Sequence, residues 1–253
     1  MKISAFDVGI VLLLCTAMLW SCPAGAAAHH PTKHSTPHVA SKAATPPVSA
    51  GASNVPAEPR LSNFADLVVD GIVGENAPEV DADFAAGLSL ASTPLLLERT
   101  TLDQVQAADG GLLHTQGDGD STVTWLCYTR HAPTKADTPM TMWLIADGNK
   151  APKLHVVSRV VVENVDAAKV SGCATAEKAV AFPTFGVPAI GASLAEIKTR
   201  FGTLIRDRQH NAYYNSTRPL NDGSGQSVYQ TLGYLIDKSA HVTGVALSQM
   251  TTD

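Results

Sequence analysis

Ser193–Gly202 reads SLAEIKTRFG, and Thr101–Gly110, 92 positions earlier, reads TLDQVQAADG. Each stretch opens with a hydroxyl residue followed by leucine, Thr101-Leu102 and Ser193-Leu194. Gln104 and Glu196 stand three residues after the hydroxyl, the spacing at which cap and third residue exchange hydrogen bonds and satisfy two orphan N–H groups. A β-branched residue follows in each, Val105 or Ile197, and a glycine closes each, Gly110 or Gly202. The pattern predicts two short amphipathic helices, each stopped by glycine.

Strand-like segments follow both helices. After the first, Gly117–Asp120 is a turn signal and Ser121–Tyr128 alternates, which places Val123, Trp125 and Cys127 on one face. Met140–Ile145 and the valine-rich Leu154–Glu163 complete a predicted meander, with Asp147–Lys150 as the turn between them. After the second helix, strands are expected within Leu204–Tyr214, over Val228–Ile236 and over His241–Gln249. Leu144-Ile145 matches Leu235-Ile236 at an offset of 91, close to the helix offset. The predicted fold class is α+β: two tandem helix-plus-antiparallel-β-meander units, residues 95–175 and 176–253.

Upstream, Phe64, Leu67, Val68 and Ile72 repeat at helical spacing, so residues 60–94 read as a helical extension. Asp81 and Asp83 lack the ligand ladder of a calcium loop. Residues 23–59 are rich in Ala, Pro, Ser, Thr and His with almost no large apolar side chain, the composition of a disordered tether. Its histidines (His29, His30, His34, His38) show no built ligand spacing, and no metal site is expected. Residues 1–26 follow the pattern of a secretory signal peptide: Lys2, an apolar run of about 13 residues that is too short to span a membrane, then small residues. Two cleavage readings compete. Ala24-Gly25-Ala26 fits ordinary signal peptidase, whereas Leu19-Trp20-Ser21-Cys22 resembles a lipobox in which Cys22 would carry lipid. Either reading exports the chain, with the periplasm as the expected compartment and the outer membrane as an anchor if Cys22 is acylated.

Export gives the cysteines a meaning. Cys15 lies in the leader and Cys22 at the lipobox, leaving Cys127 and Cys173, 46 positions apart, to form one disulfide in an oxidising compartment. Such a bridge contributes on the order of 4 kcal/mol in the chain-entropy model. Charged residues are 16% of the chain and the net charge is −5, with no basic patch, so nucleic acid is not expected as a partner.

No residue pattern demands catalysis or a cofactor. The nucleophile elbow, the His-Glu-x-x-His zinc motif, the phosphate-cradling glycine loop and Ser-x-x-Lys are all missing. Ser224, in Asp222-Gly223-Ser224-Gly225, reads as a turn residue. Aromatics instead gather on the strands, where Trp and Tyr give large rigid contact area with a polar tip. Tyr128, Trp143, Tyr213 and Tyr229 are the candidate binding residues, while Trp125 shares a face with Cys127 and is assigned to the core.

The unit resembles a repeat found in small bacterial exported domains, that of the beta-lactamase inhibitory protein and of small outer-membrane-assembly lipoproteins. Gly191, Ser193, Leu194, Glu196, Ile197, Phe201 and Gly202 carry the likeness, with Thr101, Leu102, Gln104, Val105 and Gly110 as a second copy. The second copy has Arg99 in place of the leading glycine and Asp109 in place of the phenylalanine. The resemblance spans about residues 95–253 and implies a concave sheet that grips other proteins. The expected function is therefore a protein-binding module of inhibitor, immunity or envelope-assembly type, with a periplasmic or envelope protein as partner. The alternative is a periplasmic hydrolase with a site between the units, built on His210 with Asp207 or Ser224.

Overall fold

The structure, a computed structural model, describes residues 59–69, 76–90, 93–130, 139–148, 155–165, 170–175, 182–206, 211–220 and 223–252. The segments read as leader and tether (residues 1–58, Cys22 included), and Asp207 and His210, fall outside these residues. The fold is mixed α+β. Among the described residues three α-helices, α1 (Asn63–Val69), α2 (Leu102–Asp109) and α3 (Leu194–Phe201), accompany ten strands. β1 (Ser89–Leu90) and β2 (Thr93–Pro94) form a small hairpin. The others are β3 (His114–Gln116), β4 (Val123–Arg130), β5 (Met140–Asp147), β6 (Arg159–Glu163), β7 (Ala174–Thr175), β8 (Asn211–Pro219), β9 (Ser227–Ile236) and β10 (Val242–Thr252). They make one sheet in the order β3-β4-β5-β6-β10-β9-β8, antiparallel throughout, with β7 added parallel to β4.

Both capping boxes form as the spacing predicts. Thr101 Oγ1 accepts the Gln104 N–H at 3.2 Å, and Gln104 Oε1 accepts the Thr101 N–H at 3.0 Å. Ser193 Oγ accepts the Glu196 N–H at 3.3 Å, and Glu196 Oε2 accepts the Ser193 N–H at 2.7 Å. Gly110 and Gly202 end the helices at φ 72° and 81°, where a side chain would be strained. Each helix start is also stitched to the sheet. The Leu102 N–H donates to His155 O and the Val157 N–H to Thr100 O; likewise the Leu194 N–H donates to Ala240 O and the Val242 N–H to Ala192 O, all at 2.9 Å. His155 (φ 42°) and Ala240 (φ 64°) both take left-handed backbone just before the strand.

The sheet buries both faces. On one side Leu126, Tyr128, Leu144, Tyr214 and Tyr234 pack under α2, α3 and residues 82–90 and 94–97. On the other side Trp125, Cys127, Trp143, Ile145 and Val161 pack under α1. Alternation along β4 explains the split, since successive side chains leave the strand on opposite faces. Cys127 and Cys173 stand at disulfide distance on the α1 side, their Cα atoms 4.7 Å apart.

Three expectations need revision. Residues 60–94 are not one helical extension: α1 covers Asn63–Val69, and residues 82–90 and the β1–β2 hairpin are turns and short strands. Pro78, Pro94 and the left-handed Gly87 interrupt helical geometry there, while Phe84, Leu88 and Leu95 are drawn into the core beneath. The third strand begins at Arg159 rather than Leu154, because Val156 and Val157 are committed to the α2 start. Finally, an offset of 91 aligns Leu144, on the helix side, with Leu235, on the α1 side. An offset of 92 keeps faces matched, setting Met142 on Tyr234 and Leu144 on Ile236.

Candidate functional site

The site is built where α1 meets the sheet. Ser62 starts the helix: its Oγ accepts the Ala65 N–H at 3.0 Å and its carbonyl accepts the Asp66 N–H at 2.8 Å. Phe64, Ala65 and Val68 form the buried side of α1. Phe64 enters a notch that two glycines leave open on the strands below. A Cβ on Gly244 would stand 3.3 Å from Phe64 Cδ1 and 3.1 Å from Glu163 Cγ; one on Gly233 would stand 3.6 Å from Phe64 Cζ. Gly244 is the tight position for the Phe64 ring, whereas a Cβ on Gly233 would meet that ring at ordinary contact distance and crowd Tyr213 at 3.1 Å instead.

Glu163 closes β6 beside this notch. It pairs with Thr141 on β5 and Gly244 on β10, and it is only 3% exposed. Ser62 Oγ donates a hydrogen bond to its Oε1. Burial pushes the carboxyl up to about 7, against the opposing pull of the Ser62 bond. A cleft of about 880 Å³ opens over it, lined by Arg60, Phe64, Leu67, Val170, Asn211 and Leu235 among others. Asn211 is 1% exposed. A carboxyl in such a place changes charge near neutral pH and can serve as the counter-ion of a bound cation.

A second cavity of about 540 Å³ lies beside the β1–β2 hairpin. Its polar groups are consumed by structure. Arg218 pairs with Asp83 at 2.9 Å, and Gln230 donates to Asp83 at 3.1 Å and to Gln249 at 2.8 Å. Gln230 also accepts the Phe84 N–H at 2.9 Å, which pins the chain around Phe84 on the sheet.

The four candidate binding aromatics divide by half. Tyr128, named as a candidate contact residue, is fully buried on the helix side. Its hydroxyl donates to Gly110 O at 2.7 Å, and burial, with help from Asp109, pushes it up to about 12. The adjoining Gly111 leaves room for the ring, since a Cβ there would stand 3.2 Å from the Tyr128 oxygen. Trp143 is fully buried on the α1 side, directly across from Cys127. Tyr213 and Tyr229 are half-buried on the α1-side face of β8 and β9. Tyr229 lies between Thr217 and Met250, which is 41% exposed. Ser224 sits in a turn and accepts the Gln226 N–H at 3.1 Å.

Among the described residues no group of three His, Cys, Asp or Glu side chains is placed to hold a metal, and no helix is long and apolar enough to cross a membrane. The sequence reading missed Glu163 and Asn211. One signal was present: Glu163 follows Val161 by two residues, in phase with a buried face.

No protein-family model, curated protein or solved structure matches the chain.

Proposed function

We propose that this is an exported, non-catalytic protein-binding module built from two equivalent units, which holds a periplasmic or envelope protein against its sheet. The reading rests on one observation, the matched way in which α2 and α3 are capped and stitched to the sheet. Thr100, Leu102, His155 and Val157 in one half do what Ala192, Leu194, Ala240 and Val242 do in the other. The units then join through their third strands, β6 against β10. An inhibitor, immunity or envelope-assembly role follows from the likeness of this repeat to that of the beta-lactamase inhibitory protein and the assembly lipoproteins. The half-buried Tyr213 and Tyr229 with the exposed Met250 supply the contact patch. If Cys22 is acylated, the tether holds the module at the outer membrane.

Affinity capture from envelope extract tests this, with the purified exported protein as bait. One stoichiometric protein is expected, and its retention should fall at least tenfold when Tyr213 and Tyr229 are both changed to Ala. A column that retains nothing would overturn the reading and direct attention to the hydrolase alternative. That alternative has the Glu163 cleft in its favour, because a carboxyl held near neutrality at the junction of the two halves is a recurrent property of active sites.

A further inference from the structure

We propose that the cleft between α1 and the sheet binds an alkylammonium group, from a free amine or a lysine side chain, with the Glu163 carboxylate as its counter-ion. The site stands apart from the protein-binding reading, so a failed capture experiment leaves it untouched.

Position is the first argument. Glu163 lies on a strand paired on both sides, in phase with the buried Val161, where an aliphatic side chain would complete the sheet without desolvating a charge. A carboxyl in that place opens onto a cleft of about 880 Å³, large enough for a small organic ligand. The walls supply the second argument. Phe64, Leu67, Val170 and Leu235 are suited to a methylene stem, while Glu163 and Ser62 offer oxygen acceptors to its head. An ammonium group has three donors that can diverge toward separate oxygens. A guanidinium prefers a carboxylate with both oxygens open to a planar fork, and Ser62 already bonds Oε1. The geometry therefore favours the amine.

Charge is the third argument. Among the described residues lining the cleft, the charged side chains are Arg60 ahead of α1, Asp66 on α1, and Glu163 itself. β5, β8, β9 and β10 present Thr141, Asn211, Leu235 and Gly244 to this region, none of which titrates. Among these described residues, ionising Glu163 adds one negative charge to the cleft, which an ammonium would offset.

The probe is n-butylammonium chloride, titrated into the purified protein and followed by backbone amide NMR shifts, with n-butanol as the uncharged control. With Glu163 ionising near pH 7, affinity is expected to be about tenfold tighter at pH 8 than at pH 6. Glu163→Gln, which keeps the shape and the Ser62 contact, should remove saturable binding at both pH values. A lysine side chain as the natural ligand is indicated if Nα-acetyl-lysine methylamide binds at least tenfold tighter than butylammonium; equal or weaker binding indicates a free amine. Absence of saturable shifts at pH 8, butanol binding as well as butylammonium, or unchanged affinity in Glu163→Gln would each overturn the proposal.

Discussion

Two serine–glutamate contacts stand at the starts of two helices and move their carboxyls in opposite directions. At α3, Glu196 takes the Ser193 N–H and the Ser193 hydroxyl and remains in contact with water, so those bonds hold its carboxyl below the ordinary range. At α1, Glu163 also takes a serine hydroxyl, but burial outweighs the bond and lifts the carboxyl to about 7. A hydrogen bond favours the charged form only while desolvation is small. The consequences for stability have opposite signs. Glu196 contributes stability that is present above the ordinary carboxylate range and lost as pH falls. Glu163 is the reverse: the folded state holds its proton longer, so stability falls as pH rises from about 4.5 to about 7, by about 3 kcal/mol in all.

The contrast can be broken at its source. Phe64→Ala empties the glycine notch and should cost about 3–5 kcal/mol in urea unfolding. It should also admit water to Glu163 and flatten the pH dependence between about 4.5 and 7; an unchanged slope would mean that α1 is not what keeps the carboxyl dry. Next in size, Glu163→Gln removes the ionisation penalty, raising stability by up to about 3 kcal/mol at pH 8 with little change at pH 4. A loss at pH 8 would instead reveal that the carboxylate is paired in the folded protein.

Smaller effects sharpen the comparison between the two halves. Ser193→Ala and Thr101→Ala should each cost about 1 kcal/mol, as lost helix caps do. Equal losses would support the proposal that the two halves are equivalent units, whereas a difference larger than about 1 kcal/mol would count against it. Smallest of all, Glu196→Gln should lower the melting temperature slightly at pH 7 and leave it unchanged at pH 3.

Local rules carried far along this chain. The capping boxes at Thr101 and Ser193 depend on residues three apart, and the shared face of Trp125 and Cys127 depends on strand alternation, so both were readable. The site was not, because its parts meet only after folding. Ser62 and Glu163 are 101 residues apart, and the notch for Phe64 consists of side chains that Gly233 and Gly244 lack. Tyr128 misled for a related reason. Its one-residue step from Cys127 turns it toward α2, and only the packed helix reveals that this face is covered. The strand match at 91 looked sound as letters, yet a one-residue slip exchanges the faces of a sheet.

The pairing of β6 with β10 has a bearing on how the protein is made. Of the described strands β10 is the last to be synthesised, yet it occupies the middle of the sheet, with β6 on one side and β9 on the other. Until it arrives, both neighbours present open edges and the two halves have no seam between them. Assembly of the sheet must therefore wait for β10, and a chain that has not yet placed it is left with two adhesive borders.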